Sequence, residues 1–470
     1  MRILKFLIAG ASSLALAACA TTGPSLSPPQ VPAAAQASFV EANSAGVIEA
    51  APRDDWWRLY NDPVLDGLVQ QALTANKDIA VAMANLDVAR ASLRAAHGER
   101  LPQTDVSGGA QYGRPSGLER APGQHADWAL SGGLNLAYEV DLFGRVRKSI
   151  QAARADVNAA EADRDAVRVE VAAETARAYA DILSSNRELD VARRTVALLD
   201  QSVTLSRKRF EAGRTSGLDV ARITALRDQQ RARIPDFQAQ LDSATFRLAT
   251  LTGRPPAERP VTGGSGVALS LTQPIPIGDG RMLLARRPDV RAAERRLAAA
   301  SARVGVATAD LYPKITLGGS LAASASSLAS LFTGGALGLI AGPLLSWSFP
   351  NQEAARARVA GSEAQSRAEL ARFDKTVLTA LQETETALSR YGNQIRRRAA
   401  LQSAADQAER AARITRAQLR EGRADSLAVL DAERTLAQAE ADLAEADAQL
   451  TDAQVDVFKA LGGGWQTVPA

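Results

Sequence analysis

The sequence predicts a mainly α-helical, internally duplicated chain with four membrane β-strands and very long helices suited to the wall of an α-barrel. Three observations carry this. The chain is written twice. Each copy switches once from a helical period to a two-residue period and back, and each copy then sustains a helical pattern longer than any globular core requires. At 470 residues the chain exceeds one simple core, and with 23% charged residues it is neither disordered nor a bundle of membrane helices. Aromatic residues make up only 4% and alanine is abundant, which favours long helices in close contact. The formal net charge is +3, and arginines interleave with acids, as in RRPDVRAAERR (286–296), so no basic stripe marks a nucleic-acid partner.

The chain opens with Arg2 and Lys5 ahead of an apolar run, FLIAGASSLALAA (6–18), too short to span a bilayer and fitting a secretory signal. Leu16-Ala17-Ala18-Cys19 resembles a bacterial lipobox. That resemblance implies removal of a signal peptide 1–18, a diacylglycerol on the Cys19 sulfur and a palmitoyl chain on its new amino group. At about 0.8 kcal/mol per buried methylene, several such chains anchor a protein effectively for good. Residue 20 is Ala rather than Asp, which by resemblance to bacterial sorting signals directs a lipoprotein to the outer membrane. Cys19 is the single cysteine, so no intramolecular disulfide can form. The stretch 19–63 reads as an extended lipidated segment ahead of the first repeat.

Residues 78–109 lie over 289–320 without a gap: Asp78 on Asp289, Leu86 on Leu297, Ala89 on Ala300, Pro102 on Pro313 and Gly108 on Gly319. Further on, RFEAGRTSGLDV (209–220) lies over QLREGRADSLAV (418–429), so Gly213 falls on Gly422 and Leu218 on Leu427. The repeats are placed at 64–253 and 282–463, joined by a Pro- and Gly-dense linker at 254–281 and followed by a tail, 464–470.

Each repeat reads in one order. A helix comes first, about 78–100 and about 282–311, stopping before a proline. A hairpin follows, about 102–143 and about 313–349. In LNLAYEVDL (134–142), Leu134, Leu136, Tyr138, Val140 and Leu142 share one face while Asn135, Glu139 and Asp141 share the other. Val106, Ala110 and Tyr112 begin a similar pattern, as do Ile315, Leu317 and Leu321, and then Leu345, Trp347 and Phe349. The uncharged stretch 315–352 tempts a transmembrane helix, but its repeat partner carries Glu139 and Asp141 in alternation, so membrane strands are expected. Helical rods follow, roughly 145–211 and 351–420; at 1.5 Å per residue each reaches about 100 Å. Gly213 and Gly422 end them, where glycine can adopt a left-handed cap. Return helices run at about 218–252 and 427–461, with Pro235 expected to kink or divide the first.

Four strands cannot close a barrel, and open edges in lipid leave backbone groups unsatisfied. Membrane barrels start at about eight strands, so the chain is expected to oligomerise; a homotrimer would supply twelve. Alanine stripes such as Ala152, Ala155, Ala159, Ala162 and Ala166 suit a curved helical wall, although alone they would also suit a soluble coiled coil.

WWRLYNDPVLDGLVQQAL (56–73), YEVDLFGR (138–145), RRPDVRAAERRLAAASARVGVATADLYPKITLGGS (286–320) and FKALGGGW (458–465) together make the chain resemble the outer membrane factor family, the TolC-like channels. The likeness is to the NodT-type lipoprotein branch that serves resistance-nodulation-division (RND) efflux pumps. It implies a trimer with a 12-stranded β-barrel and a periplasmic α-barrel tapering to a closed tip. An equatorial region around the linker is implied too, as is docking to a periplasmic adaptor and an inner-membrane RND pump. It further implies a periplasmic gate of Leu427, Asp431 and Arg434, with Gly213 and Gly422 in the tip turns. Leu427, Asp431 and Arg434 share one helix face, and in the first repeat only Leu218 is retained, with Arg222 and Ala225 in the other two places.

No catalytic set is found. His97 and His125 lack the neighbours of a nucleophile site, and with Cys19 acylated no Cys/His metal set or other cofactor is expected. The expected function is passive exit of drugs or other small molecules; the alternative is the exit channel of a protein-secretion system.

Overall fold

The computed structural model describes residues 31–114, 126–258, 269, 271, 273–331 and 337–465. Its labelled elements begin with β1 (Val47–Ile48), α1 (Pro63–Ala75), α2 (Lys77–Gly98), β2 (Gln103–Gly113), β3 (Asp127–Val140), α3 (Arg145–Glu211) and α4 (Gly217–Leu251). The second half follows with β4 (Ile275–Pro276), α5 (Gly280–Arg286), α6 (Pro288–Ala309), β5 (Lys314–Ala325), β6 (Leu337–Ser346), α7 (Glu353–Arg420) and α8 (Ser426–Ala460).

The long helices form where the pattern places them, 67 residues in α3 and 68 in α7. Of the alanine stripe, Ala152, Ala155, Ala159 and Ala162 are buried and Ala166 is half-buried. Three expectations need correction. The helix expected at 282–311 is two, α5 and α6. Pro288 cannot donate to the α5 turn and forces Arg287 before it into extended backbone, φ −65° and ψ 123°. Pro235 does not divide the return helix, which runs as one helix, α4, through Gly217–Leu251. A proline removes one hydrogen bond, and packing of a 35-residue helix offsets that loss. Beyond the four hairpin strands, β1 and β4 make a short parallel pair, Val47 opposite Ile275 and Ile48 opposite Pro276, tying the linker to the N-terminal segment.

Two compact units form, and each draws on both repeats. Of the described residues, the first comprises those within 85–160 and 292–373; the second comprises those within 31–84, 161–291 and 374–465. In the first unit the strand order is β2-β3-β5-β6, antiparallel throughout, so the two hairpins join through the β3–β5 ladder.

The second unit holds the larger apolar core, in which Trp56 stacks on Phe458 at 4.7 Å among Leu65, Val69, Tyr179, Ile182, Leu248 and Leu388. Here the duplication shows in side-chain roles. Asn76 and Arg287 hold matching positions and both are buried. The Asn76 amide donates to the Leu251 carbonyl (3.1 Å) at the end of α4, and Arg287 donates to the Ala460 carbonyl (2.9 Å) at the end of α8. Each satisfies a carbonyl that its helix leaves unpaired. Arg287 also grips Asp289 and Glu383, both at 2.7 Å.

The glycines that end the return helices and the rods differ in one respect. Gly253 has φ +73°, and a Cβ there would meet the Ala75 carbonyl oxygen at 2.6 Å; Gly422 has φ +75° but open space around it. Gly422→Ala should therefore cost about 1 kcal/mol from left-handed backbone alone, and Gly253→Ala about 3 kcal/mol or more through the added clash. Thermal melts of the two variants should separate clearly; equal shifts would contradict this account.

Candidate functional site

The sheet of the first unit separates two chemistries by register. On one face Val106, Leu134, Leu321 and Leu339 lie directly opposite one another across all four strands. Flanking rows on that face carry Leu136, Leu130, Leu317, Ile315 and Leu345. The other face carries Gln103, Asp105, Ser107, Gln111, Ser131, Asn135, Thr316, Ser320 and Ser324. Val106 is 80% exposed and Leu339 77%, a large solvent-free surface only if lipid covers it. The exceptions, Ile340 and Leu344, lie on the polar side of edge strand β6, which also accommodates Pro343.

Aromatic rings mark both ends of the apolar face. Tyr112 and Trp128 pack at 5.5 Å at one end, and at the other Phe143 stacks on Tyr312 and Trp347 on Phe349, each at 4.7 Å. From Trp128 to Tyr138 a strand covers about 33 Å, or about 25 Å of membrane at a tilt near 40°, the height of an outer-membrane apolar band. Leu142, expected on this face, falls just past the end of β3. Among the described residues no helix is long and apolar enough to cross a membrane, and within the tempting stretch Leu337–Ser346 forms strand β6. Strands β2 and β6 each leave one edge unpaired among the described residues.

The YEVDLFGR segment is the elbow from strand to rod. Asp141 accepts hydrogen bonds from the backbone N–H groups of Val146 (3.0 Å) and Arg147 (2.9 Å), capping α3. Gly144 turns with φ +81°. On the polar face Glu139 binds Arg145 at 2.7 Å and Lys314 at 2.8 Å, and Arg145 reaches Glu99 at 3.3 Å. Glu99 lines a groove shared by α2, α3, α6 and α7, where Arg303 pairs with Asp156. The polar sheet face thus continues into the groove between the helices.

At the turns of the second unit, Gly213 and Gly422 have φ +69° and +75°. The N–H of Arg214 reaches the Arg209 carbonyl, and that of Arg423 the Gln418 carbonyl, both at 2.8 Å, closing matched Schellman caps. Ser216 and Asp425 then cap the return helices. Leu427 is 51% exposed, and Asp431 and Arg434 form an exposed pair at 2.9 Å. Leu427 is thus solvent-facing in the protomer, and Asp431 and Arg434 are exposed side chains paired with each other. Cys19 and His125 lie outside the described residues; His97 is exposed on α2.

Sequence reasoning missed the strongest pair beside this turn. Arg416 on α7 donates two hydrogen bonds to Glu433 on α8, whose side chain is only 4% exposed. The hydrogen bonds to that carboxylate raise the Arg416 pKa above its usual value. Arg416 lies six residues before Gly422 and Glu433 eleven after it, so sequence spacing alone does not pair them. Where α3 meets α8, Arg177 pairs with Asp456 (2.5 Å), while Asp452 is pushed up to about 6 by burial and by the charge of Asp181.

An amphipathic sheet with free edges, aromatic belts at both ends of its apolar face and helices of this length define an outer-membrane channel subunit of the channel-tunnel type. The chain matches the outer membrane efflux protein family over residues 68–254 and 280–463. It is 32% identical to the pyoverdine export outer membrane protein OpmQ of Pseudomonas aeruginosa over 90% of either chain. It is 31% identical to the outer membrane protein OprJ of the same organism, over 96% of this chain and 94% of OprJ. The solved structure of the outer-membrane channel OprN superposes with a TM-score of 0.89 at 35% identity, covering 95% of this chain and all of that one. The chain belongs to the outer membrane efflux protein family. It is a passive channel and not an enzyme.

Proposed function

We propose that the chain is the outer-membrane exit duct of a tripartite RND-type pump, closing as a homotrimer whose twelve strands form one barrel. The register carries this reading: one apolar face runs through all four strands, the opposite face is polar from β2 to β5, and two edges are unpaired among the described residues. Every edge group left in lipid costs several kcal/mol, so the sheet requires partner sheets. The polar face then lines the bore, and small molecules delivered by a periplasmic adaptor and inner-membrane pump pass through it. A groove between α3, α4, α7 and α8, lined by Leu198, Leu205, Ile223, Leu419 and Arg413, suits a helical adaptor segment. Cys19, acylated on sulfur and nitrogen, anchors the N-terminal segment in outer-membrane lipid, in keeping with its lipobox. Leu427, Asp431 and Arg434 ring the periplasmic opening and close it: leucines by contact and dewetting, aspartates by concentrating cations.

Mass measurement in detergent tests the assembly. The expected species is a folded trimer with ion-conducting activity in planar bilayers, and a stable, folded monomer would sink the architecture.

A further inference from the structure

Along the polar face of the sheet and the groove that continues it, most acids are matched to bases. Glu139 is held by Arg145 and Lys314, Glu99 by Arg145, Asp156 by Arg303, and Asp310 lies 3.9 Å from Arg358. Asp127, at the start of β3, spends its carboxylate on the N–H of Trp128 at 2.8 Å. Asp127 and Asp105 both lack a basic partner among the described residues, but Asp105 lacks even a hydrogen-bond donor; it is exposed, third in the eleven-residue β2, opposite Asn135. Its row continues through Ser320 to Ile340, so nothing along that row supplies a compensating cation.

We infer that Asp105 sets cation preference inside the β-barrel, as a second selectivity element separate from the tip. The inference rests on the channel reading above. In the closed trimer, three copies form a ring of carboxylates on the wall of the bore at one height. A ring of like charge enriches counter-ions over about a Debye length, about 10 Å at 0.1 M salt and about 3 Å at 1 M. Cationic solutes therefore meet an attractive band within the membrane. The carboxylate is tolerated there because the bore is aqueous; on the opposite face it would lie in lipid.

The test is the reversal potential of purified trimers in planar bilayers under a KCl gradient. Asp105→Asn keeps shape and should move the potential toward zero at low salt, Asp105→Lys should reverse its sign, and Asp105→Glu should preserve it. The differences should shrink at high salt. Asp105→Cys should react with a membrane-impermeant cationic thiosulfonate added to the aqueous bath, with a stepwise change in current. Unaltered reversal potential in Asp105→Asn, where Asp431→Asn abolishes selectivity, would overturn the inference. Failure of the Asp105→Cys variant to react from water would overturn it too. A wild-type protein that forms no conducting trimer would instead sink the channel reading itself.

Discussion

Replacing Leu427 and Asp431 together by alanine should open the tip: single-channel conductance rises severalfold, cation preference falls, and cells become permeable to large antibiotics. The expectation follows from exposure and from symmetry. Within one protomer Leu427 is half-exposed, and among the described residues the Asp431 carboxylate pairs with Arg434, an exposed pair three residues along the same helix. Such a pair stabilises a helix by about 0.2–0.5 kcal/mol, so its loss should hardly affect folding. In the proposed gate the same side chains would form rings around a three-fold axis, and removing them would take away both the contact seal and the fixed charge. Trimer melting temperature should stay near wild type. Wild-type conductance and selectivity in the double variant would place the constriction elsewhere on the chain. Leu218 should matter less: its repeat lacks the acid, with Arg222 standing where Asp431 stands in the second copy.

Substituting Cys19 by serine should reduce incorporation of labelled palmitate to background and leave the leader attached, because lipoprotein processing requires the thiol to be modified first. Each acyl chain contributes about 0.8 kcal/mol per buried methylene, so on the proposed lipoprotein reading one residue would carry the whole lipid anchor. The strands give a second hold on the membrane, and a trimer that does assemble from Cys19→Ser protein should conduct as wild type does. Palmitate labelling that persists in the variant would end the lipoprotein reading.

The motifs that carried the family resemblance turn out to be joints. In WWRLYNDP, Trp56 stacks on Phe458 and Asp62 caps α1; in RRPD, Arg287 fastens the end of α8. In FKALGGGW, Gly462 and Gly464 turn with positive φ, and Trp465 donates to the Arg286 carbonyl beneath the Arg291 guanidinium. The sequence marked these positions as informative but not what each one touches.

What the chain determined by itself is local or periodic. Alternation in LNLAYEVDL marks a two-faced strand, alanine spacing and length mark the rods, and Gly213 and Gly422 mark their ends. Each of these is a steric or periodic property that a residue carries into any fold. Tertiary structure alone decided the rest. Only the β3–β5 register extends the row from Val106 and Leu134 on to Leu321 and Leu339. Only the hairpin at Gly422 brings Arg416 to Glu433, and only packing carries α4 through Pro235. The reason is that a pairing energy depends on where turns bring distant residues, and the sum of such contacts, not the preference of either residue, chooses the arrangement.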